Sequence, residues 1–343
     1  MNSVLIDPAA DPQWLSFLGS AEDASIFHHP AWLTVLGETY RYTPVCLMAS
    51  DDGRAVGVLP LMEVRSWLTG KRAVCLPFSD ACGALVRDES ALRALLHVAD
   101  ELRNERRWSY VEIRNSVVPD GFTPSGHYKR HVTDLRCDPE TLRQTFNQLA
   151  RRKLRKAETS GVRVEQRTDD EALREFIRLN ALTRRKHGVL PQPDSLFWNI
   201  QKRLLEPGLG FLGVATLDGR IVAANLFLHW KDTIVYKYGA SDDRAAASAA
   251  GYAVMWDAMR WGCEHDFTRF DFGRTDVTGE GLLQFKRGWG SREMDLVYAR
   301  RSDTMNGIER SEPGLQDRLK PLISRLPVPV LKLIGARAYP HVG

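Results

Sequence analysis

The run from Asp271 to Gly290, DFGRTDVTGEGLLQFKRGWG, gathers the residues best suited to chemistry in a chain of 343. Asp271 closes a strand-like stretch and Gly273 permits a sharp exit. Arg274, Asp276 and Lys286 then return within reach of one another across a glycine-rich turn. Read as a short helix, LLQFKRG sets Leu282, Phe285 and Lys286 on one face, at i, i+3 and i+4. An ammonium on an apolar face is costly unless its head reaches water or something anionic meets it. Gly288 suits the position just past the helix, with Trp289 packing back on the last turn. Two readings follow: polar residues converging on an anionic ligand, or Lys286 serving the helix dipole while Arg274 pairs with an aspartate.

Other residues carry weaker signals. Arg184 and His187, in TRRKHG, end an amphipathic helix before a proline-rich loop and suit either phosphate or sugar binding or a solvated helix cap. Tyr238, in the strand YKYGA, fits the core or the lining of a pocket. Asn225 lies mid-strand among apolar neighbours and needs a partner if buried. There is no GxSxG, no HExxH, no Walker A sequence and no GxGxxG after a strand. Covalent catalysis, nucleoside triphosphate binding and dinucleotide binding therefore lack support, and no metal site is expected.

The length suits two domains of moderate size, and 43% hydrophobic with 26% charged residues is ordinary for a globular chain. A net charge of +4 fits phosphate-bearing or membrane-surface partners but falls short of a dedicated DNA binder. Cys46, Cys75, Cys82, Cys137 and Cys263 form no CxxC pair, which points to a reducing cytoplasm. The amino terminus shows no secretory pattern. The apolar stretch from Ala245 to Trp256 is far shorter than the roughly 20 residues of a membrane span.

These residues must be positioned by an alternation of strands and helices. The first part reads as a helix from His29 to Tyr40, then strands PVCLMA, AVGVLPLMEV and AVCLPF, a helix from about Ser90 to Arg107, and strands WSYVEIRN and HYKRHVTDL. From Asp138 a long basic helix is expected through DPETLRQTFNQLARRKLRKAETSG, and its run of arginines and lysines suits a solvated face or contact with phosphate or tRNA. Strand VRVEQ, two helices, and strands GFLGVATL, RIVAANLFLHW and TIVYKYGA come next. A helix from about Ala247 to His265, the strand TRFDFG, the LLQFKRG helix and a closing strand MDLVYAR complete the second part. The second part repeats the first loosely in its order of elements. The tail after Arg300 alternates apolar residues with Arg318, Lys320, Arg325, Lys332 and Arg337. It suits packing on the body or lying on an anionic membrane.

The segments FDFGR…GLLQFKRGWG, GVLPL (Gly57 to Leu61), LPFSDACGAL (Leu76 to Leu85), TRRKHGVLPQP (Thr183 to Pro193) and YKYGASD (Tyr236 to Asp242) together resemble the FemABX-like transferases. They are most similar to the branch associated with exopolysaccharide and exosortase systems. The resemblance spans roughly Phe27 to Arg300. It implies an α/β fold of mixed (α+β) sheets, with two tandem GNAT-like acyltransferase domains at 1–137 and 138–300 and a basic amphipathic tail at 301–343.

The resemblance also implies an activity: transfer of an aminoacyl or acyl group to form an amide on an amine of a peptidoglycan, exopolysaccharide or other cell-envelope precursor. Phe285 and Lys286 then lie beside the reacting carbonyl and a ligand phosphate, with Lys286 meeting developing negative charge, an effect typically worth about 10²–10³ in rate. Asp80, in LPFSD, or Asp271 would take the acceptor's proton, unless alignment of the substrates suffices. Arg274, Asp276, Arg184, His187, Tyr238 and Asn225 become candidate substrate contacts.

The donor stays open between aminoacyl-tRNA and acyl-CoA, neither held as a resident cofactor. Acetyl-CoA-dependent members of the wider fold carry a glycine-spaced pyrophosphate loop. The equivalent stretch here, Arg244 to Tyr252, lacks that spacing, and no inserted coiled-coil hairpin of tRNA-using relatives is present. The acceptor is a small-molecule or lipid-linked glycan or peptide. The expected location is the cytoplasm, with peripheral contact at the inner face of the plasma membrane through the tail. Two alternatives are an acyl-CoA-dependent N-acyltransferase and a non-catalytic binding module of a polysaccharide assembly system.

Overall fold

A computed structural model describes residues 2–115, 117–303 and 315–343. In chain order its elements begin with β1 (Asn2–Ile6), α1 (Pro12–Ser20), α2 (Pro30–Tyr40), β2 (Thr43–Asp51), β3 (Arg54–Ser66), β4 (Gly70–Val74), β5 (Leu85–Val86), α3 (Glu89–Arg106), β6 (Val111–Asn115) and β7 (Thr123–Asp134). They continue with α4 (Pro139–Thr145), α5 (Gln148–Thr159), β8 (Arg163–Arg167), α6 (Asp170–Lys186), α7 (Asp194–Ile200), β9 (Gly210–Leu217), β10 (Arg220–Trp230) and β11 (Thr233–Ser241). Last come α8 (Asp243–Ser248), α9 (Ala250–Glu264), β12 (Arg269–Asp276), α10 (Glu280–Arg287), β13 (Arg292–Arg301), α11 (Leu315–Ile323) and α12 (Val328–Val342).

The chain forms two compact units. The first is built from the described residues of Met1–Tyr128, Asp295–Glu312 and Arg337–Gly343, the second from those of Lys129–Met294 and Pro313–Ala336. The stretch expected as a separate tail is thus shared between them.

In the first unit the strands follow the order β1-β2-β3-β4-β6, closed by the later part of β13. There Val297 to Arg301 pair antiparallel with Asn115 to Val111. MDLVYAR, expected to complete the second part, therefore completes the first. Nothing local to that stretch announces the exchange, because its pairing partner lies about 180 residues upstream. β3 is buried almost end to end, with α1 and α3 packed on it, which explains its near-continuous apolar sequence.

The second unit is a sheet in the order β12-β11-β10-β9-β8, with the Lys129–Asp134 part of β7 beside β12. α9 covers one face, packing Val254, Met255 and Ala258 with Ala223, Phe227, Ile234 and Phe270. α6 and α7 cover the other. Two helices expected to be continuous are interrupted. At Asn147 the side chain caps α5 through the Ala150 N–H at 2.8 Å while its own N–H donates to the Gly288 carbonyl at 3.0 Å, so the chain breaks there and ties α5 to the end of α10. At Ala249 the backbone turns left-handed (φ 59°) and separates α8 from α9.

α5 buries Ala150, Leu154 and Ala157 and leaves Arg152, Arg155 and Lys156 outward, as a solvated basic face would. The end of the chain packs rather than trailing free. Leu331 is fully buried, and Lys332 pairs with Asp194 at 2.8 Å in the second unit. In the first unit the Tyr42 hydroxyl donates to the carbonyls of Tyr339 and Pro340.

Candidate active site

The crossover from β11 through α8 and α9 to β12 makes these strands parallel, and their ladder holds for only three residue pairs: Thr233–Arg269, Ile234–Phe270 and Val235–Asp271. Beyond them β11 runs on to Ser241 and β12 to Asp276 without pairing to each other. A crevice at the carboxyl ends of two parted parallel strands is where open α/β sheets take ligands. The parting has a local cause. Leu226 pairs with Tyr238 but Phe227 with Tyr236, so Lys237 is an extra residue that bulges β11.

That bulge sends two tyrosines to opposite faces. Tyr238 turns toward α7, where its ring meets Phe197 edge-on at 5.6 Å and the Lys237 ammonium lies 5.3 Å from it. Tyr236 turns toward α9 and packs on Phe227 and Phe272. Its hydroxyl fills the space over Gly239: a Cβ there would fall 1.9 Å from the hydroxyl oxygen and 3.1 Å from Asn225 Oδ1. Burial pushes the Tyr236 pKa up to about 12, so it stays a neutral donor. Asn225 pairs with Gly213 on one side and Gly239 on the other, on the same face as Phe227. It is only 5% exposed, and among the described residues its amide has no hydrogen-bond partner. An amide without a protein partner in this position is open to water or to a ligand.

The β12 wall is held by three charged side chains. Asp271 accepts from the Gly273 N–H at 2.8 Å through one oxygen and from Arg130 Nε and Nη2 at 2.9 and 2.7 Å through the other. Gly273 has φ +66° and turns the strand. Lys286, 2% exposed, donates to the Gly273 carbonyl at 2.9 Å and the Arg274 carbonyl at 3.1 Å. Two carbonyls at the turn are thus among the partners of the Lys286 ammonium. The Thr275 hydroxyl beside them is buried and unpartnered.

On α10 the buried face is Leu283 and Lys286, while Leu282 is 46% exposed; the expected Leu282 face is one residue out of phase. Gly288 continues the right-handed turn, and the left-handed residue is Gly290 (φ +66°). Phe285 is half-buried against Tyr252, ring to ring at 5.6 Å, and Tyr252 stacks on Trp289 at 5.4 Å. The aromatic trio fixes α10 against the first turn of α9.

Other candidates fall into place differently. Thr183 Oγ1 accepts from the Ser241 N–H at 3.0 Å and donates to its carbonyl at 3.1 Å, which ties the end of α6 to the end of β11. Arg184, half-buried, and His187, exposed, thereby stand at the crevice end of the sheet. Arg274 is exposed, and Asp276 is spent on its own turn, accepting from Thr278 N and Oγ1 at 2.9 and 2.7 Å.

Asp80 belongs to the first unit. Its loop holds Leu76 and Phe78 at φ 46° and 61°, a strained backbone pinned by Trp32 on Ser79 Oγ, Arg114 on the Leu76 and Ser79 carbonyls, and Tyr298 on the Asp80 carbonyl at 2.7 Å.

Sequence reasoning missed Arg130, His131, Glu293 and Tyr236. His131 is fully buried, with Nε2 3.1 Å from Glu293 and Nδ1 unpartnered; burial, and then the charge of Lys286, lower its pKa. The only available signal was the YKYG motif, and strict alternation would have put both tyrosines on one face. Among the described residues no cluster of three His, Cys, Asp or Glu side chains could hold a metal ion.

Residues 144–287, which contain the crevice and the second unit's site side chains named here except Arg130, His131, Trp289 and Glu293, match the family model described as an acetyltransferase (GNAT) domain. The chain carries a GNAT-type acyltransferase domain. Its whole fold is tandem GNAT-like, of the FemX kind. The crystal structure of FemX matches at a TM-score of 0.73 and 19% identity over 95% of this chain and 100% of that one. A tandem GNAT protein from the clavulanic acid biosynthesis pathway matches at 0.57 and 14%, over 88% and 98%. L-PGS from Bacillus licheniformis matches at 0.54 and 17%, over 94% and 99%. No curated protein sequence matches the chain.

Proposed function

We propose that this protein transfers an acyl or aminoacyl group to an amine of a cell-envelope or exopolysaccharide precursor, forming an amide in the crevice of the second unit. The observation that carries the reading is Asn225, 5% exposed beside the parted strands, whose amide has no hydrogen-bond partner among the described residues. Attack of an amine on an ester or thioester places negative charge on the carbonyl oxygen, and fixed donors there stabilise the transition state. The Asn225 amide and the Tyr236 hydroxyl are two such donors, already positioned by the bulge and by Gly239. Lys286 acts through the backbone: it clamps the two carbonyls where β12 turns and so holds the far wall, as a positioning residue. Phe285 keeps it there.

Asp271 does not serve as the base in this reading. Its carboxylate already accepts from a guanidinium and a backbone N–H, and taking up a proton would break that ion pair. Asp80, the other candidate base, lies in the first unit on a strained and over-determined loop. Arg184 and His187 suit a phosphate-bearing part of a donor at the end of β11.

The donor stays open between acyl-CoA and aminoacyl-tRNA: α9 begins at Ala250 with no side-chain cap, while the N–H groups of Tyr252 and Ala253 donate to the Ala249 carbonyl. Incubation of the protein with acyl-CoA and, separately, aminoacyl-tRNA, each with an extract of envelope precursors, followed by mass spectrometry for new amides, tests the reading and names the donor. A product from either pool supports transfer. Products from neither pool return the chain to the non-catalytic binding alternative.

A further inference from the structure

The hairpin between β3 and β4 turns through Ser66, Trp67, Leu68, Thr69 and Gly70, and its tip is strongly apolar. Trp67 is 86% exposed, the most of any large apolar side chain described, and Leu68 64%. A tryptophan left this far in water needs an account. The tip is rigid. Ser66 Oγ accepts from the N–H groups of Leu68 and Thr69 at 3.1 and 2.9 Å, and Arg72 donates to Thr69 Oγ1 at 2.7 Å. The last turn of α12 braces it within the same unit. Thr69 Oγ1 donates to the His341 carbonyl at 3.0 Å, and the His341 ring meets Trp67 edge-on at 5.5 Å. Val342, beside that histidine in the chain, is 57% exposed.

The exposed charged residues next to the tip in the chain are basic. Arg65, Lys71 and Arg337 are exposed, and Glu63, the one acidic residue between positions 60 and 75, is buried and engaged by Arg65 and Trp108. From position 318 to 343 the chain has five Lys or Arg and no Asp or Glu. In the second unit the same end of the chain exposes Leu322 and Leu333 (57% and 56%). An exposed aromatic with an apolar neighbour, set among cations, is the composition of a side chain that enters the headgroup layer of a negatively charged bilayer. Because the tip is already ordered, insertion costs little conformational entropy.

We propose that the Trp67–Leu68 tip inserts into the surface of an anionic lipid bilayer, with Arg65, Lys71 and Arg337 facing the lipid phosphates. This goes beyond the acyl-transfer reading and is tested with no donor or acceptor present.

The full chain is sedimented with vesicles of phosphatidylcholine alone and of phosphatidylcholine mixed with phosphatidylglycerol. The expected result is binding to the anionic vesicles only, weakened by added salt. Binding should fall by about tenfold or more in Trp67→Ala/Leu68→Ala, while Trp67→Phe retains most of it. The variants touch a solvent-facing tip, so an unchanged denaturation midpoint confirms that the fold is intact. Absence of wild-type binding to anionic vesicles, or equal binding by the double variant, overturns the proposal. So does a concentration-dependent dimer in sedimentation velocity that the double variant abolishes while vesicles stay unbound, since a second copy of the chain would then occupy the tip.

Discussion

The Lys286 ammonium donates to the backbone carbonyl of Gly273 at 2.9 Å, thirteen residues earlier in the chain, and so ties α10 to the turn at which β12 leaves the sheet. Together with the bond to the Arg274 carbonyl at 3.1 Å, it makes a buried cation part of the backbone's own hydrogen bonding. Charge-assisted bonds of this kind are among the stronger ones. The lysine is therefore expected to matter for the shape of the crevice before it matters for anything that binds there.

Lys286→Met should lower unfolding stability by about 3 kcal/mol, because two buried carbonyls lose their donor. Chemical denaturation would show the midpoint fall with an unchanged slope. A shift well under about 1 kcal/mol would mean that Lys286 serves only the helix dipole, the plainer of the two readings that its sequence position allows.

Arg130 and Asp271 make a second such lock. Arg130→Ala leaves a nearly buried carboxylate without its guanidinium and should cost about 3 kcal/mol or more, of which Asp271→Asn on the same chain recovers a part. Additive losses in the double variant would show that the two side chains act independently.

Gly239→Ala should be harmful although the site is a strand, since the new Cβ would meet the Tyr236 hydroxyl. A loss of about 1–3 kcal/mol is expected from this overpacking. Adding Tyr236→Phe should return some stability but no activity, because the donor over Gly239 is then gone. Full stability in Gly239→Ala alone would contradict the placement of Tyr236.

Stability should rise with pH across the ordinary histidine range. His131 and His229 are both held below their usual value of 6.5 by burial, so the folded form resists a proton that the unfolded chain accepts. Their contribution is full above 6.5 and is lost as the pH falls through their lower folded values. Denaturation at about pH 7.5 and about pH 5.5 measures this, and His131→Gln should flatten the difference. An unchanged difference in that variant would remove His131 from the account.

Part of this molecule was legible in its sequence. The turns Asp52-Gly53 and Asp218-Gly219 carry φ of 47° and 75°, and of 50° and 71°, the paired left-handed residues that a two-residue hairpin demands, so the meanders could be placed from local chemistry alone. Asn225 was marked as needing a partner, and its missing partner became the strongest sign of the crevice. The rest depended on contacts distant in sequence. The break at Ala249 uses a left-handed alanine, which no propensity signals, and the bulge at Lys237 exists only against β10. Arg130 lies 141 residues from the aspartate it holds. The LLQFKRG face was misplaced by one residue because a single short helix offers too few apolar positions to fix its phase.

The central claim is that the crevice of the second unit performs amide transfer and that Asn225 meets the reacting group there. The most direct measurement is the yield of new amide from the donor pools with wild type and with Asn225→Ala, taken beside the denaturation midpoint of each. Asn225 gives up no protein hydrogen bond, so the account predicts a product whose rate of formation falls by about 10²-fold at nearly unchanged stability. Equal rates in the two proteins, or no amide from any pool, would contradict it.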